Sequence, residues 1–261
     1  MESLFRYVAS PSRCGYLPQQ VWSLEYEYVG ALSPAEYLQR MLDGWRRFGT
    51  MLFRPACARC RACRALRVSA AHFRPDRSQR RAQAANDGQI ERRIGAPSVT
   101  RAKLNLYDLY HAHQSDAKGW PQHPVRDAAS YAESFVHHPF AVEEWCYYLD
   151  GRLLGVGYVD ALPTAPAAVA AGARDDPSAP PADDVLPGGL SAIYFFYDPN
   201  ERHRSLGTYN VLCLIEEAAR RGLPYVYLGY YVEGCSSMQY KARFTPNELR
   251  GEDGRWRPFR E

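Results

Sequence analysis

SAIYFFYDPNERHRSLGTYNVLCLIEEAARRGLPYVYLGYYVEGCSSMQYKARFTPNEL, residues 191–249, is the stretch from which the fold is read. Ala192 to Tyr197 is aromatic and β-branched, as suits a buried strand, and Asp198-Pro199-Asn200 stops it. After a polar turn through Ser205, Tyr209, Leu212, Cys213, Ile215 and Ala219 recur at helical spacing. Gly222-Leu223-Pro224 ends that helix, because glycine takes the left-handed cap and proline cannot continue the ladder. A second strand follows from Tyr225 to Tyr231. Strand, helix and strand in this order make a crossover unit, and a ligand site is expected where the first strand ends and the helix begins.

Four motifs in this stretch, Tyr194-Phe195-Phe196-Tyr197-Asp198-Pro199, Arg204-Ser205-Leu206-Gly207-Thr208, Tyr227-Leu228-Gly229-Tyr230-Tyr231 and Cys235-x-x-Met238-x-Tyr240-Lys241, come in a fixed order. They resemble the C-terminal half of the aminoacyl-tRNA-protein transferases that modify acidic protein N-termini, a family with arginyl members and a compact bacterial leucyl branch. Cys14-Gly15-Tyr16-Leu17-Pro18, Gly44 to Gly49, Phe53-Arg54-Pro55 and Arg77-Ser78-Gln79-Arg80-Arg81 resemble its N-terminal domain. The resemblance implies a GNAT-like mixed sheet with flanking helices, whose splayed central strands admit the acyl donor.

The bulk numbers set wider bounds. A chain of 261 residues with 46% hydrophobic and 23% charged content has the composition of a soluble globular protein. Met1 to Ser10 has no apolar core like that of a signal peptide, and no apolar run nears the roughly 20 residues of a membrane span. A cytoplasmic protein without a membrane partner is expected. Seven cysteines, an odd number and unevenly spaced, argue against a disulfide framework and fit a reducing compartment. Thirteen arginines face three acids between Arg46 and Arg93, which predicts a phosphate-binding surface there.

Before the core stretch, Trp22 to Val29 reads as a strand. Ser33-Pro34-Ala35-Glu36 is a capping box that opens a helix expected to run to Gly49 and to deliver Arg46 and Arg47 in its last turn. Ser78 to Ala85, Ser98 or Thr100 to Gln114, and Ala128 to His137 behind Asp127 read as further helices. Glu144–Leu149 and Arg152–Asp160 form a hairpin about a type I′ turn at Asp150-Gly151. Residues 163–189, rich in Ala, Pro and Asp, are expected to be a disordered insertion. His111, His113, His123, His137 and His138 lack triad partners in sequence and are read as surface or capping residues. The organisation expected is two-domain α+β: residues 1–95, a smaller basic domain with the cysteine cluster, and residues 96–261, the GNAT-like domain that carries the reaction.

Cys57-x-x-Cys60-x-x-Cys63, with Cys14 as a fourth thiol, can wrap zinc or begin an iron–sulfur site if the fold brings the sulfurs together. The alternative is four reduced thiols that bind nothing. The larger members of the resembled family use N-terminal cysteines in a metal or iron–sulfur site, although this chain has Leu17 where they tend to have a second cysteine.

The activity implied is transfer of an amino acid from aminoacyl-tRNA to a protein N-terminal Asp or Glu, marking the acceptor for N-end-rule degradation. No cofactor is needed for the transfer itself. An acyl-CoA transferase is the alternative, and it wants a small residue where Arg204-x-x-Gly207-x-Tyr209 has tyrosine. A zinc-ribbon binding module would leave the C-terminal half unexplained. Asp198, at the strand end, is the candidate catalytic carboxylate for the amine. Tyr194, Tyr197, Tyr230 and Tyr231 suit stacking on the terminal adenine, and Arg77, Arg80 and Arg81 suit tRNA phosphates. The acidic acceptor needs a cationic pocket, supplied by Arg46 with Arg47 or by Arg204 with Lys241 in and beyond the Arg204-Ser205-Leu206-Gly207 motif. Leucine rather than arginine is the expected donor residue. The compact length, the cysteine spacing and the uninterrupted Arg204–Gly207 motif look like the leucyl branch, and only Asp198 and Glu233 are acids at likely strand ends.

Overall fold

The computed structural model describes residues 1–120, 125–166 and 185–259. The chain opens with β1 (Glu2–Val8), a short ribbon of β2 (Ser12–Arg13) and β3 (Val21–Trp22), and β4 (Leu24–Ala31). Helix α1 (Pro34–Leu42) starts on Ser33, whose capping box with Glu36 is formed as the sequence predicts. It ends seven residues earlier than expected, because Gly44 at φ 98° turns the chain out of the helix. Arg46 and Arg47 therefore lie on a strand, β5 (Arg46–Phe48), followed by β6 (Met51–Pro55). An antiparallel sheet in the order β1-β4-β6-β5 results.

There follow β7 (Cys63–Ser69), α2 (Arg77–Ala84) capped by Asp76, and β8 (Ile90–Gly95). Helices α3 (Arg101–Lys118) and α4 (Ala128–Phe135) start on Thr100 and Asp127. The hairpin of β9 (Glu143–Leu149) and β10 (Arg152–Leu162) turns at Asp150-Gly151, both at positive φ as a type I′ turn requires. After β11 (Ala165–Pro166) and β12 (Val185–Leu186) come β13 (Gly189–Tyr197), α5 (Leu206–Arg220) and β14 (Tyr225–Val232). The short helix α6 (Ser236–Gln239), β15 (Asn247–Arg250) and β16 (Trp256–Phe259) complete the described chain.

The second sheet is large and mixed, in the order β16-β15-β7-β14-β13-β10-β9-β8, so the fold is α+β. The expected division at residue 95 does not separate the two sheets, since β7 and β8 belong to the larger one. Of residues 163–189, β11 and β12 pair with each other and Leu186 is buried, whereas 167–184 lie outside the described residues. On one face, α5 packs Leu212 and Ile215 over Leu190 and Val226. On the other, Tyr107 of α3 and Tyr131 and Phe135 of α4 pack on Tyr158 and Phe196, while α1 brings Leu38 against Leu162 and Tyr227.

The crossover unit is present as read, with β13 and β14 parallel on either side of α5. Their pairing covers only Gly189–Ser191 against Tyr225–Tyr227. The strands pinch where Gly189 sits, since a Cβ there would meet the Tyr225 carbonyl oxygen at 2.3 Å. Beyond Ser191 and Tyr227 they part, and the carboxyl ends of both strands border an opening.

Candidate functional site

Strand β5 of the small sheet lies across this opening. Its alternate residues share a face, so Arg46 and Phe48 reach the two parted strands while Arg47 turns the other way. The Arg46 guanidinium lies 5.3 Å from the ring centre of Tyr230 on β14. The Phe48 ring meets Tyr194 of β13 edge-on at 6.0 Å. Arg47 pairs with Asp160 of β10, both fully buried, and also donates to the Gly49 carbonyl and to His138 Nδ1 at 2.9 Å. Its charge is therefore spent inside the fold, and of the expected Arg46–Arg47 pocket only Arg46 remains.

Arg46 donates to the carbonyls of Met41 and Trp45, while its Nε has no partner. Lys241, brought in by the turn after α6, donates to the Tyr230 carbonyl at 2.7 Å and approaches Met238 Sδ at 3.2 Å. Both cations converge on Gly229. Its φ of 75° makes the bulge that interrupts pairing with β7, and a Cβ there would stand 3.8 Å from Lys241 Nζ and 3.9 Å from Arg46 Nε. Among the described residues neither cation has a carboxylate partner. Burial, then the Arg46 charge, pushes the Lys241 ammonium down to about 7.

On the other side of Tyr230 is a cavity of about 230 Å³. Tyr16, Trp22, Leu24, Phe48, Phe53 and Val232 line it together with the sulfurs of Cys14, Cys57, Cys60 and Cys63, and no carboxylate does among the described residues. The four thiols share one cavity, yet no three His, Cys, Asp or Glu side chains among the described residues form a group able to hold a metal. Cys63 belongs to β7, so the sheet fixes its direction instead of a loop that could wrap an ion. Burial and the neighbouring Cys14, Cys57 and Cys60 push its thiol up to about 12. Zinc or iron–sulfur binding, one of the two outcomes the spacing allows, is thus not supported among the described residues. All seven cysteines are free thiols.

Other expected residues fall elsewhere. Asp198 is buried, accepts the Asn200 backbone N–H at 2.9 Å and pairs with Arg152 at 2.5 Å, so both oxygens are engaged in holding the turn after β13. Arg204 is tied to Glu201, the Ala85 carbonyl and Gln89 and does not meet Lys241. Ser205 takes φ 53° and Leu206 and Gly207 open α5, with Leu206 in the core. Tyr231 points into the α5 side of the core, opposite to Tyr230. Tyr197 packs on Tyr110 at 5.2 Å, and Tyr194 shares a 2.8 Å hydrogen bond with His111. His111 is thus an interior partner, against the surface or capping role expected of it, whereas half-buried His138 donates to the Phe135 carbonyl at the end of α4, as a capping residue does. Arg77, Arg80 and Arg81 stand exposed along α2.

Residues 12–81 match the family model described as arginine-tRNA-protein transferase, N terminus, and residues 181–251 the one described as arginine-tRNA-protein transferase, C terminus. The chain belongs to this family of aminoacyltransferases. It is 36% identical to the aspartate/glutamate leucyltransferase of Pseudomonas aeruginosa over 93% of this chain and 92% of that one. The protein of the same description from Helicobacter hepaticus is 32% identical over 94% and 92% of the two chains, and that from Stenotrophomonas maltophilia 38% over 88% and 81%. Among solved structures, L-PGS from Bacillus licheniformis superposes with a TM-score of 0.41 at 12% identity, over 76% of this chain and 58% of that one. Among the described residues no helix is long and apolar enough to cross a membrane.

Proposed function

We propose that this protein transfers leucine from leucyl-tRNA to the N-terminal Asp or Glu of acceptor proteins, at the opening between β13 and β14. The observation that carries this reading is the pair of buried cations without a carboxylate, Arg46 and Lys241, set beside an apolar cavity that no carboxylate lines. The cations take the acceptor's acidic side chain, and the cavity takes the leucyl side chain. A transferred arginine would leave its guanidinium desolvated there without a counter-charge.

In the reaction the acceptor's α-amine attacks the ester carbonyl of the aminoacyl-tRNA. A C–N bond forms, the C–O bond to the ribose breaks, and the ribose oxygen leaves with the proton the amine gives up. An α-amine with pKa about 7.7 to 8.0 is partly nucleophilic at neutral pH, so positioning supplies most of what is needed. Asp198 serves by fixing the turn between β13 and α5, and the exposed arginines of α2 meet tRNA phosphates. The parted parallel strands are read as a GNAT-like acyl-donor opening, the cytoplasm as the site of action, and N-end-rule degradation as the fate of the product.

The deciding assay offers separately charged leucyl- and arginyl-tRNA with peptides beginning in Asp, Glu or Ala. Leucine transfer to the Asp and Glu peptides alone is expected. Arginine transfer without leucine transfer would overturn the donor, equal use of the Ala peptide would overturn the acceptor, and turnover with an acyl-CoA would overturn both.

A pH effect follows from Lys241. Below about 7 its ammonium is charged, and above it binding a carboxylate must first draw a proton onto the amine. The KM for an Asp-initiated peptide is expected to rise with pH from neutrality upward, by at most about tenfold per pH unit. Lys241→Arg, which stays charged, should flatten that rise; an unchanged profile in this variant would remove Lys241 from acceptor binding.

A further inference from the structure

We infer that the aromatic face of the small sheet, packed on the large sheet at its β5 end and exposed at its β1 end, is a platform for the unpaired 3′ nucleotides of the tRNA, an inference that rests on aminoacyl-tRNA being the donor. Helix α1 covers only one face of this sheet, where Trp45 is buried and the carboxylates of Glu25 and Glu27 meet Arg6, Arg54 and Arg40. The opposite face is aromatic. Cross-strand register places Tyr7, Tyr26, Phe53 and Arg46 in one row and Phe5, Tyr28, Met51 and Phe48 in the next. Phe5 is 56% exposed and Tyr7 39%. Tyr7 and Tyr26 lie 5.3 Å apart at the ring centres, and Phe5 and Tyr28 5.8 Å.

Two observations say what this face takes. The first is continuity: Tyr26, Phe48, Met51 and Phe53 belong to the face and also line the cavity assigned to the leucyl group. Whatever lies along the rings leads to the reacting ester. From β1 to β6 is about 10 Å at the usual strand spacing, the length of about three stacked bases at about 3.4 Å each. The second is charge. Both carboxylates of β4 turn to the far face, while Arg13, Arg59 and Arg61 stand exposed beside the cavity, without a carboxylate partner among the described residues. Arg61 is held there by the carbonyls of Cys57 and Cys60, and Arg13 precedes Cys14. A single strand of RNA offers both complements at once, since every base has a π-face for the rings and every link a phosphate for the arginines.

The test uses the full chain with two probes, a deacylated tRNA with its 3′ end intact and the same tRNA lacking its last three nucleotides, and reads their affinities by fluorescence anisotropy. The intact tRNA is expected to bind at least about fivefold tighter, the least that stacking one base supplies. In the double variant Phe5→Ser, Tyr7→Ser that ratio should fall towards one without a change in melting temperature, and Tyr7→Phe should keep it. Replacing Arg77, Arg80 and Arg81 by Ala should weaken both probes alike and leave the ratio standing. A ratio that survives the double variant, with leucine transfer intact, overturns the platform and leaves the proposed reaction in place. Absence of tRNA binding by the unaltered protein overturns both. Phosphatidylglycerol vesicles that bind the unaltered protein and not the double variant, with the tRNA ratio unchanged, would assign the face to a membrane instead.

Discussion

Replacing Asp160 by alanine is expected to cost about 3–5 kcal/mol, a large share of the roughly 5–15 kcal/mol that holds a native protein folded. Arg47 would keep its burial and lose its only carboxylate among the described residues, where its remaining partners are the Gly49 carbonyl and His138 Nδ1. Burial and the Arg47 charge hold His138 down to about 4, so at neutral pH it is an uncharged acceptor and cannot replace the lost counter-charge. The rings of Phe140 and Tyr37, 4.6 and 5.3 Å from the guanidinium, offer only cation–π attraction. Urea denaturation measures the loss. Removing both charges, as Arg47→Met with Asp160→Leu, should recover most of it, because a buried pair is costly mainly when broken. If Asp160→Ala shifts the urea midpoint no more than a surface substitution does, Arg47–Asp160 is not what holds β5 to the large sheet.

The second large effect is expected at Arg46. With Arg46→Gln, kcat/KM for an Asp-initiated peptide should fall by about 10- to 150-fold, the value of a charged hydrogen bond of about 1.5–3 kcal/mol. Transfer to an Ala-initiated peptide, already poor, should barely change. A further sign separates acceptor binding from a general loss of structure. Arg46 contributes to depressing the Lys241 ammonium, so without it that group should titrate higher and the rise of KM should begin at a higher pH. Equal losses on both peptides, with the pH profile unmoved, would mean that Arg46 only supports the bulge at Gly229.

Where neighbours in sequence decide the structure, the reading succeeded. Ser33 and Asp127 cap the helices they announce, Asp150-Gly151 makes the hairpin, and Tyr194 to Tyr231 gives the strand–helix–strand unit. It failed where a distant partner decides. The arginine-rich segment from Arg46 to Arg93 is expected to be a phosphate-binding surface, yet its Arg67 is buried, pairs with Glu248 and lies 3.8 Å from the Tyr225 ring, which lets Cys63–Ser69 serve as an inner strand. An arginine can hide its stem and stack its head, so its charge alone misleads. The stripe of α1 carried the expected helix on through Arg46 and Arg47, and only the φ of Gly44 shows why it stops. Of the candidate site, Arg46, Tyr230 and Lys241 were each picked out, but not as a group. Arg46 and Lys241 stand at opposite ends of the sequence, and what joins them, a bulge at Gly229, has no local signature.

The place of β7 between β14 and β15 also bears on how the protein is made. Arg67 pairs with Tyr227, and the 160 residues after Arg67, up to and including Tyr227, must leave the ribosome before the two can meet. At about 5–20 residues per second this is a wait of roughly 8 to 32 s. Throughout it, a hydrophobic strand carrying a cysteine and two arginines has both edges unpaired, next to a nascent chain that can pair with it in the wrong register. The large sheet is therefore assembled from its oldest and newest segments, and ribosome-associated chaperones would find their substrate in Cys63–Ser69.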